Sequence, residues 1–140
     1  MDVMVATIEL LKQDADLQVL VDTRVWGDKV PLAEANAVAR GNVLLRHVPS
    51  ASLGPTGGYV ELQMNSYDIT CYGKTPKEAK DIYLEVYRIL KHARRQVIAE
   101  TLIHSFTQIM SPRSFVDPDT KWDAIISGWN SLASEKQVAT

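Results

Sequence analysis

The pattern of hydrophobic and polar positions is clearest over residues 59–93, where it predicts a long strand, a turn and a helix. Aromatic, β-branched and apolar residues alternate with polar ones through residues 67–72, as in a half-buried strand. After Gly73, residues 75–78 place a hydroxyl at the N-cap, proline at the first helical position and glutamate at the third. Apolar residues then recur every three or four positions up to residue 93. We therefore predict an amphipathic helix that lies across a sheet.

The rest of the chain carries shorter patterns. Residues 1–11 and 17–21 have apolar residues at helical spacing, and Asp14 and Asp16 between them suit a helix cap. The alanine-rich segment after Pro31 could form one or two helical turns. Strand patterns occupy residues 23–26, 42–48, 59–72, 96–110 and 122–129, and residues 111–120 form a turn-rich connector.

These elements together predict one α+β domain over residues 1–140. Its sheet is expected to be mostly antiparallel, with about four strands and two main helices packed on one face. The tail, residues 134–140, is expected to fray. Trp122 and Trp129 fall on opposite faces of the last predicted strand, which places one in the core and leaves the other exposed or at an interface.

In the long predicted strand, the apolar residues change from one face of the strand to the other along its length. Val60, Leu62 and Met64 share one face, whereas the apolar residues of 67–71 lie on the other. The change requires either a bulge near residues 65–66 or a first half that packs against something other than the core of this domain.

The second option predicts a projecting hairpin around residues 49–66. The loop at residues 49–58 contains two prolines and three glycines, and Leu53 at its tip would be an exposed apolar anchor for a neighbouring subunit. A mobile hairpin without a partner is the alternative, and the sequence does not decide between the two.

Composition narrows the classes of function. The chain has 140 residues, a net charge of −2 and 46% hydrophobic residues, as expected for a soluble globular domain and not for one that binds nucleic acid through bulk charge. A single cysteine, Cys71, excludes an internal disulfide. No stretch approaches the ~20 apolar residues of a membrane helix, and the N-terminus lacks the features of a signal peptide, so we expect folding in a cytoplasm without a membrane partner.

No catalytic or metal-binding motif emerges. His47, His92 and His104 fall on three different elements without metal-ligand spacing, and His47 suits a hydrogen-bonded strand histidine. Asp117 and Asp119 suit a turn better than a calcium loop. We therefore expect no enzyme activity, no cofactor and no metal. The basic residues of 91–95 complement the helix dipole, with a phosphate-binding patch as the alternative.

Several segments together resemble one known family. They are the N-terminal helix with Asp14-Ala-Asp16, the run Arg24-Val-Trp26, residues 67–72 leading into residues 75–79, and residues 117–122. These segments extend over nearly all of the chain. Through them the chain resembles the tail-terminator or tail-completion proteins of long-tailed bacteriophages.

The resemblance implies a structural virion protein made in the cytoplasm of the bacterial host. Such a subunit would assemble as a hexameric ring at the head-proximal end of the tail tube, stop tube polymerisation and join the tail to the head-completion or neck connector protein. DNA would pass through the lumen without sequence-specific binding. For this role we expect the following contact residues: Leu53, Val60, Leu62, Met64, Arg113, Phe115 and Asp117.

Two other classes stay open. A nucleic-acid-binding α+β module would stack bases on exposed aromatic residues, for which Tyr59, Tyr67 and Tyr72 are available. A small cysteine-dependent enzyme is the less favoured alternative, and it would have to combine Cys71 with a histidine.

Overall fold

The computed structural model describes residues 3–48, 55–56 and 60–135, with side chains for all of these except residues 55–56, 60–63 and 135. Its helices are α1 (Val3–Lys12), α2 (Ala15–Val21), α3 (Leu32–Ala35) and α4 (Pro76–His92). Its strands are β1 (Val25–Gly27), β2 (Asn42–Val48), β3 (Pro55–Thr56), β4 (Val60–Gly73), β5 (Gln96–Ile98), β6 (Thr101–Val116) and β7 (Asp123–Glu135). None of the helices in these ranges is long and apolar enough to cross a membrane.

The strands form one curled sheet in the order β1-β2-β4-β7-β6-β5, and β3 pairs with β4 outside this path. β1 runs parallel to β2, with Val25 opposite Val43, while the other pairs are antiparallel. The expectation of a sheet of about four strands with two main helices is therefore wrong, although most strand pairs are antiparallel as expected. The described chain is richer in strand, its sheet is mixed and larger, and it contains four helices.

Two local features explain part of this difference. The predicted strand at residues 96–110 is interrupted at Ala99 and Glu100, whose positive φ angles of 48° and 64° turn the chain between β5 and β6. β6 then continues to Val116 through residues predicted to be a connector. Pro112 is tolerated there because it lies in the irregular stretch between Met110 and Arg113, where the register with β7 shifts and Pro112 has no assigned partner.

The main core lies between one face of the sheet and helices α1, α2 and α4. The N-cap predicted for α4 is present, because the Thr75 Oγ1 accepts a hydrogen bond from the N–H of Glu78 at 3.1 Å, whereas the Glu78 side chain bonds the residue before the cap instead of Thr75 itself. The Glu78 carboxylate accepts in turn from the N–H of Lys74 at 3.2 Å. The largest fully buried side chains are Trp129, Tyr67, Leu11, Leu17, Leu45, Ile69, Ile82, Leu90 and Ile103.

A second, smaller cluster lies on the opposite face of the sheet. It contains Leu44, Tyr72, Trp122 and Ala124, and the segment after β1 packs on it through Val30 and Ala39. Trp122 is 5% exposed and Trp129 1% exposed, so the expectation that one of the two would be exposed or interfacial is wrong. They do lie in clusters on opposite faces.

The phase change in β4 does not come from a bulge. The pairing of β4 with β7 is continuous from Leu62 to Gly73, so the bulge considered near residues 65–66 is absent from this ladder. Met64 consequently lies opposite Leu132, with a parity different from that of the core residue Tyr67. Of the predicted hairpin at residues 49–66, the structure describes β3 and the part of β4 that begins at Val60. Its contact with a neighbouring subunit stays a prediction.

Candidate subunit interface

The predicted contact residues fall into two separate groups. Leu53 lies outside the described residues, and Val60 and Leu62 are described only as backbone of β4. Met64 is half-buried, and Asn130 Nδ2 donates to its sulfur at 3.7 Å.

Arg113 and Phe115 are exposed near the end of β6, and Asp117 follows them. Met64 pairs with Leu132 and Arg113 with Ile126, positions six residues apart on β7, which is about 20 Å at ~3.3 Å per residue. The structure therefore brings Arg113, Phe115 and Asp117 together but keeps Met64 apart from them.

Asp117 organises the turn between β6 and β7. Its Oδ1 accepts hydrogen bonds from the N–H groups of Asp119 at 2.9 Å and Thr120 at 3.0 Å, which confirms the predicted turn role. The pKa of the neighbouring Tyr72 is raised by burial and further by the negative charge of Asp117 and a hydrogen bond to it. The connector is thereby fixed against the second cluster, where Trp122 packs edge-to-face on Tyr72 at 5.8 Å between ring centroids.

The outer edge of β6 is the longest open backbone surface in the described ranges. β5 covers only residues 101–103, and residues 105–116 pair only with β7. No charged residue occurs in residues 105–112, and the Ile109 side chain is 56% exposed. Sequence reasoning missed this edge because residues 111–116 were assigned to a connector.

Irregularities in the β6–β7 register limit what this edge can bind. The register shifts between Ile103 and Ser105, between Gln108 and Met110, and between Met110 and Arg113. Bulges of this kind bend a strand and make its open edge less able to pair with unrelated strands. Only a partner strand with matching shape could extend the sheet here.

The residues needed for the alternative functions are mostly buried. Cys71 is fully buried and burial raises the pKa of its thiol, so its thiolate is not available as a nucleophile. Tyr67 and Tyr72 are 1% and 8% exposed, so neither offers a ring on which a base could stack, while Tyr59 lies outside the described residues. His47 hydrogen-bonds Asn65 Oδ1 at 3.3 Å, as predicted for a strand histidine.

One group of carboxylates has the spacing of a metal site. The carboxylate oxygens of Asp14, Asp16 and Glu85 lie within 4.8 Å of one another. However, the Arg88 guanidinium lies among them, 2.9 Å from Asp14 and 2.7 Å from Glu85, and supplies the positive charge. Asp14 also caps α2 by accepting from the N–H of Leu17 at 3.1 Å, as its position in the sequence predicted. This group is explained by an ion-pair network.

Comparisons with known proteins identify a fold and no family. No protein-family model matches the chain, and no curated protein matches it. Among solved structures, the fold is similar to that of a chain from the structure described as the virion of a native gene transfer agent (GTA) particle. The match has a TM-score of 0.67 at 17% identity and covers 93% of this chain and 92% of that chain. The two chains therefore share a fold over nearly their whole lengths.

Proposed function

We propose that this protein is a structural component of a virion, and specifically a tail-terminator subunit. In this proposal six copies form a ring at the head-proximal end of the tail tube, stop its polymerisation and connect it to the neck protein. The observation that carries the proposal is the full-length similarity to a chain of a gene transfer agent virion. The resemblance of segments such as Arg24-Val-Trp26 to tail-terminator proteins supports it from the sequence.

The open edge of β6 also supports self-assembly. A closed ring with more than two subunits needs a head-to-tail contact, in which two different surfaces of each subunit meet. An uncharged strand edge that carries an exposed Ile109 is one such surface, because a strand from the next copy could continue the sheet. Arg113 and Phe115 lie on the same edge strand, Asp117 follows it directly, and all three would belong to the same contact.

The predicted partners follow from this role. The tail tube protein would contact one side of the ring and the head-completion protein the other, with DNA crossing the lumen without sequence-specific contacts. The protein would be made in the host cytoplasm and end at the head–tail interface of the virion. The burial of Cys71 favours a structural role over a cysteine-dependent enzyme.

Native mass spectrometry with negative-stain imaging tests the proposal, with and without purified tail tube protein. We expect a hexamer, alone or templated by the tube end, and tubes that stop growing once it is bound. A chain that stays monomeric in the presence of tube ends, and leaves tube length unchanged, would contradict it.

A matched pair of variants tests the contact itself. Phe115→Ser with Val116→Ser removes two exposed apolar side chains, 38% and 57% accessible, at the end of the open edge. We expect this variant to remain folded but to lose most ring formation. The control is Val19→Ser on α2, which removes a side chain that is 84% exposed and should assemble as the unmodified protein does.

A further inference from the structure

A cleft opens on the face of the sheet opposite the main core. Its volume is about 350 Å³, and it lies between the segment that contains α3 and the turn between β6 and β7. Leu44, Tyr72 and Trp122 form its apolar floor, and all three are at least nine-tenths buried. Leu32 lies at its rim with 76% of its side chain exposed. This volume falls in the range of clefts that bind ligands or anchoring side chains.

The two walls of the cleft carry opposite charges. Lys29 and Arg46 lie on the side formed by β1 and β2, whereas Asp117 and Asp119 lie on the side formed by the β6–β7 turn. Arg46 and Asp117 both lie close enough to Tyr72 to act on its phenol electrostatically, and in opposite directions. Within the described part of the chain, Lys29, Arg46 and Asp119 make no ion pair.

The floor also contains a hydrogen-bond donor without an acceptor. The indole N–H of Trp129 donates to Ser127 at 2.9 Å and that of Trp26 to Asn42 at 2.8 Å. The indole N–H of Trp122 has no acceptor among the described residues, and it is not one of the buried side-chain donors there that lack a partner, so it is accessible to solvent although the residue is only 5% exposed and lines the cleft. An accessible indole N–H can donate to a ligand bound in the cleft.

We propose that this cleft binds an extended polypeptide segment of a partner protein. The segment inserts one large apolar side chain onto Leu44, Tyr72 and Trp122, and it carries an acidic residue toward Lys29 and Arg46 and a basic residue toward Asp119. A backbone carbonyl of the segment accepts from the Trp122 indole N–H. A polypeptide supplies an apolar anchor, both signs of charge and a carbonyl within a few residues, which a small anion or a nucleic acid backbone does not.

The inference goes beyond the proposed function because it does not require ring formation. It is tested with blocked pentapeptides as probes on the unassembled subunit, for which the Phe115→Ser, Val116→Ser variant is used where the unmodified protein forms rings. Ac-Glu-Gly-Phe-Gly-Lys-NH₂ and the peptide with Glu and Lys exchanged present the anchor in both directions. The control peptides replace Phe with Ser. Binding is followed through the indole N–H signals in ¹H–¹⁵N spectra, with the Trp122 signal assigned by its loss in Trp122→Phe.

We expect at least one Phe peptide to shift the Trp122 indole signal and to leave that of Trp129 in place. Because an exposed ion pair contributes little, Arg46→Glu should weaken binding of the Glu-containing peptide by only about threefold to tenfold. Replacing the peptide's Glu with Lys should restore the affinity for this variant. Arg95→Glu, at an exposed cation beyond α4, is the matched control and should change nothing.

Four outcomes would overturn the inference. The first is no shift of the Trp122 signal up to the solubility limit of either Phe peptide. The second is equal binding of the Ser peptides, and the third is binding that Arg46→Glu leaves unchanged. The fourth is binding of phenylalanine amide as tight as that of the pentapeptides, which would assign the cleft to a small aromatic ligand. Since each readout uses monomeric protein, none of them depends on whether a ring forms.

Discussion

The two faces of the sheet are built differently. On one face, three helices cover a continuous apolar core in which side chains such as Leu45 and Trp129 are almost completely buried. On the other, four buried residues form a small cluster, partly covered by a segment held through polar contacts, and a charged cleft remains open beside it. The comparison suggests a division of roles, in which the first face supplies most of the stability and the second keeps a surface for recognition.

The largest expected effect comes from two neighbouring leucines on β2. Leu45 faces the main core and is completely buried, whereas Leu44 faces the small cluster and is 4% exposed. We expect Leu45→Ala to lower the free energy of unfolding by about 4 kcal/mol and Leu44→Ala by about 2 kcal/mol, because the cavity left beside an open cleft can relax or fill with water. Urea unfolding at equilibrium measures both.

The two substitutions share chemistry, strand and backbone geometry, so the face of the sheet is the main difference between them. Equal losses of unfolding free energy would contradict the division of roles. A larger loss of unfolding free energy in Leu44→Ala would mean that the face with the small cluster contributes more to stability than the main core.

Helix α4 on the main-core face and helix α3 on the opposite face differ in how their N-termini are capped. The N-cap residue of α4, Thr75, accepts a hydrogen bond from the N–H of Glu78, whereas the N-cap of α3 is Pro31 and makes no side-chain cap. We expect Thr75→Ala to lower the free energy of unfolding by about 1 kcal/mol. Thr75→Ser keeps the hydroxyl and serves as the control. A loss as large in the serine variant would show that the cap bond is not the cause.

The features predicted correctly are those fixed by short-range chemistry. The start of α4 follows from four consecutive residues at 75–78. Its buried face follows from the 3.6-residue periodicity of the apolar residues in the helix. The Asp117 turn likewise depends on hydrogen bonds that span only three residues. Such patterns can be read without knowledge of the rest of the fold.

The features missed depend on contacts between distant residues. Trp122 is buried because Val30 and Ala39, far away in the sequence, pack on its cluster, and no periodicity in residues 29–41 indicates this contact. The predicted strand ends too early because Ser111 and Pro112 are typical of turns, whereas the irregularity that tolerates proline depends on the pairing of β6 with β7. The cleft is missed for the same reason, since its walls come from residues 29–46 and 117–122, which are far apart in the sequence.

The smallest expected effect concerns the ion pair between Glu34 and Arg40, which we call the polar anchor of α3. The Glu34 carboxylate accepts two hydrogen bonds from Arg40 and lies 3.8 Å from Arg24, while no residue of α3 is buried. The hydrogen bond from Arg40 is the main cause that holds the pKa of Glu34 below its usual range. We expect Glu34→Gln to lower the free energy of unfolding by only about 0.5–1 kcal/mol at neutral pH, because Arg40 is half exposed to solvent.

The pH dependence distinguishes this anchor from apolar packing. Because the pKa of Glu34 is lower in the folded than in the unfolded chain, its contribution is fully present above the ordinary glutamate pKa of 4.5 and is lost as the pH falls through the folded pKa. The difference between the wild type and Glu34→Gln, measured by urea unfolding from pH 7 downward, should therefore shrink toward zero, while the loss in Leu45→Ala should persist. Glu9→Gln, at an exposed carboxylate on α1, is the control. A pH-independent difference for Glu34→Gln would mean that α3 is held by packing after all, and the contrast between the two faces would then fail at this position.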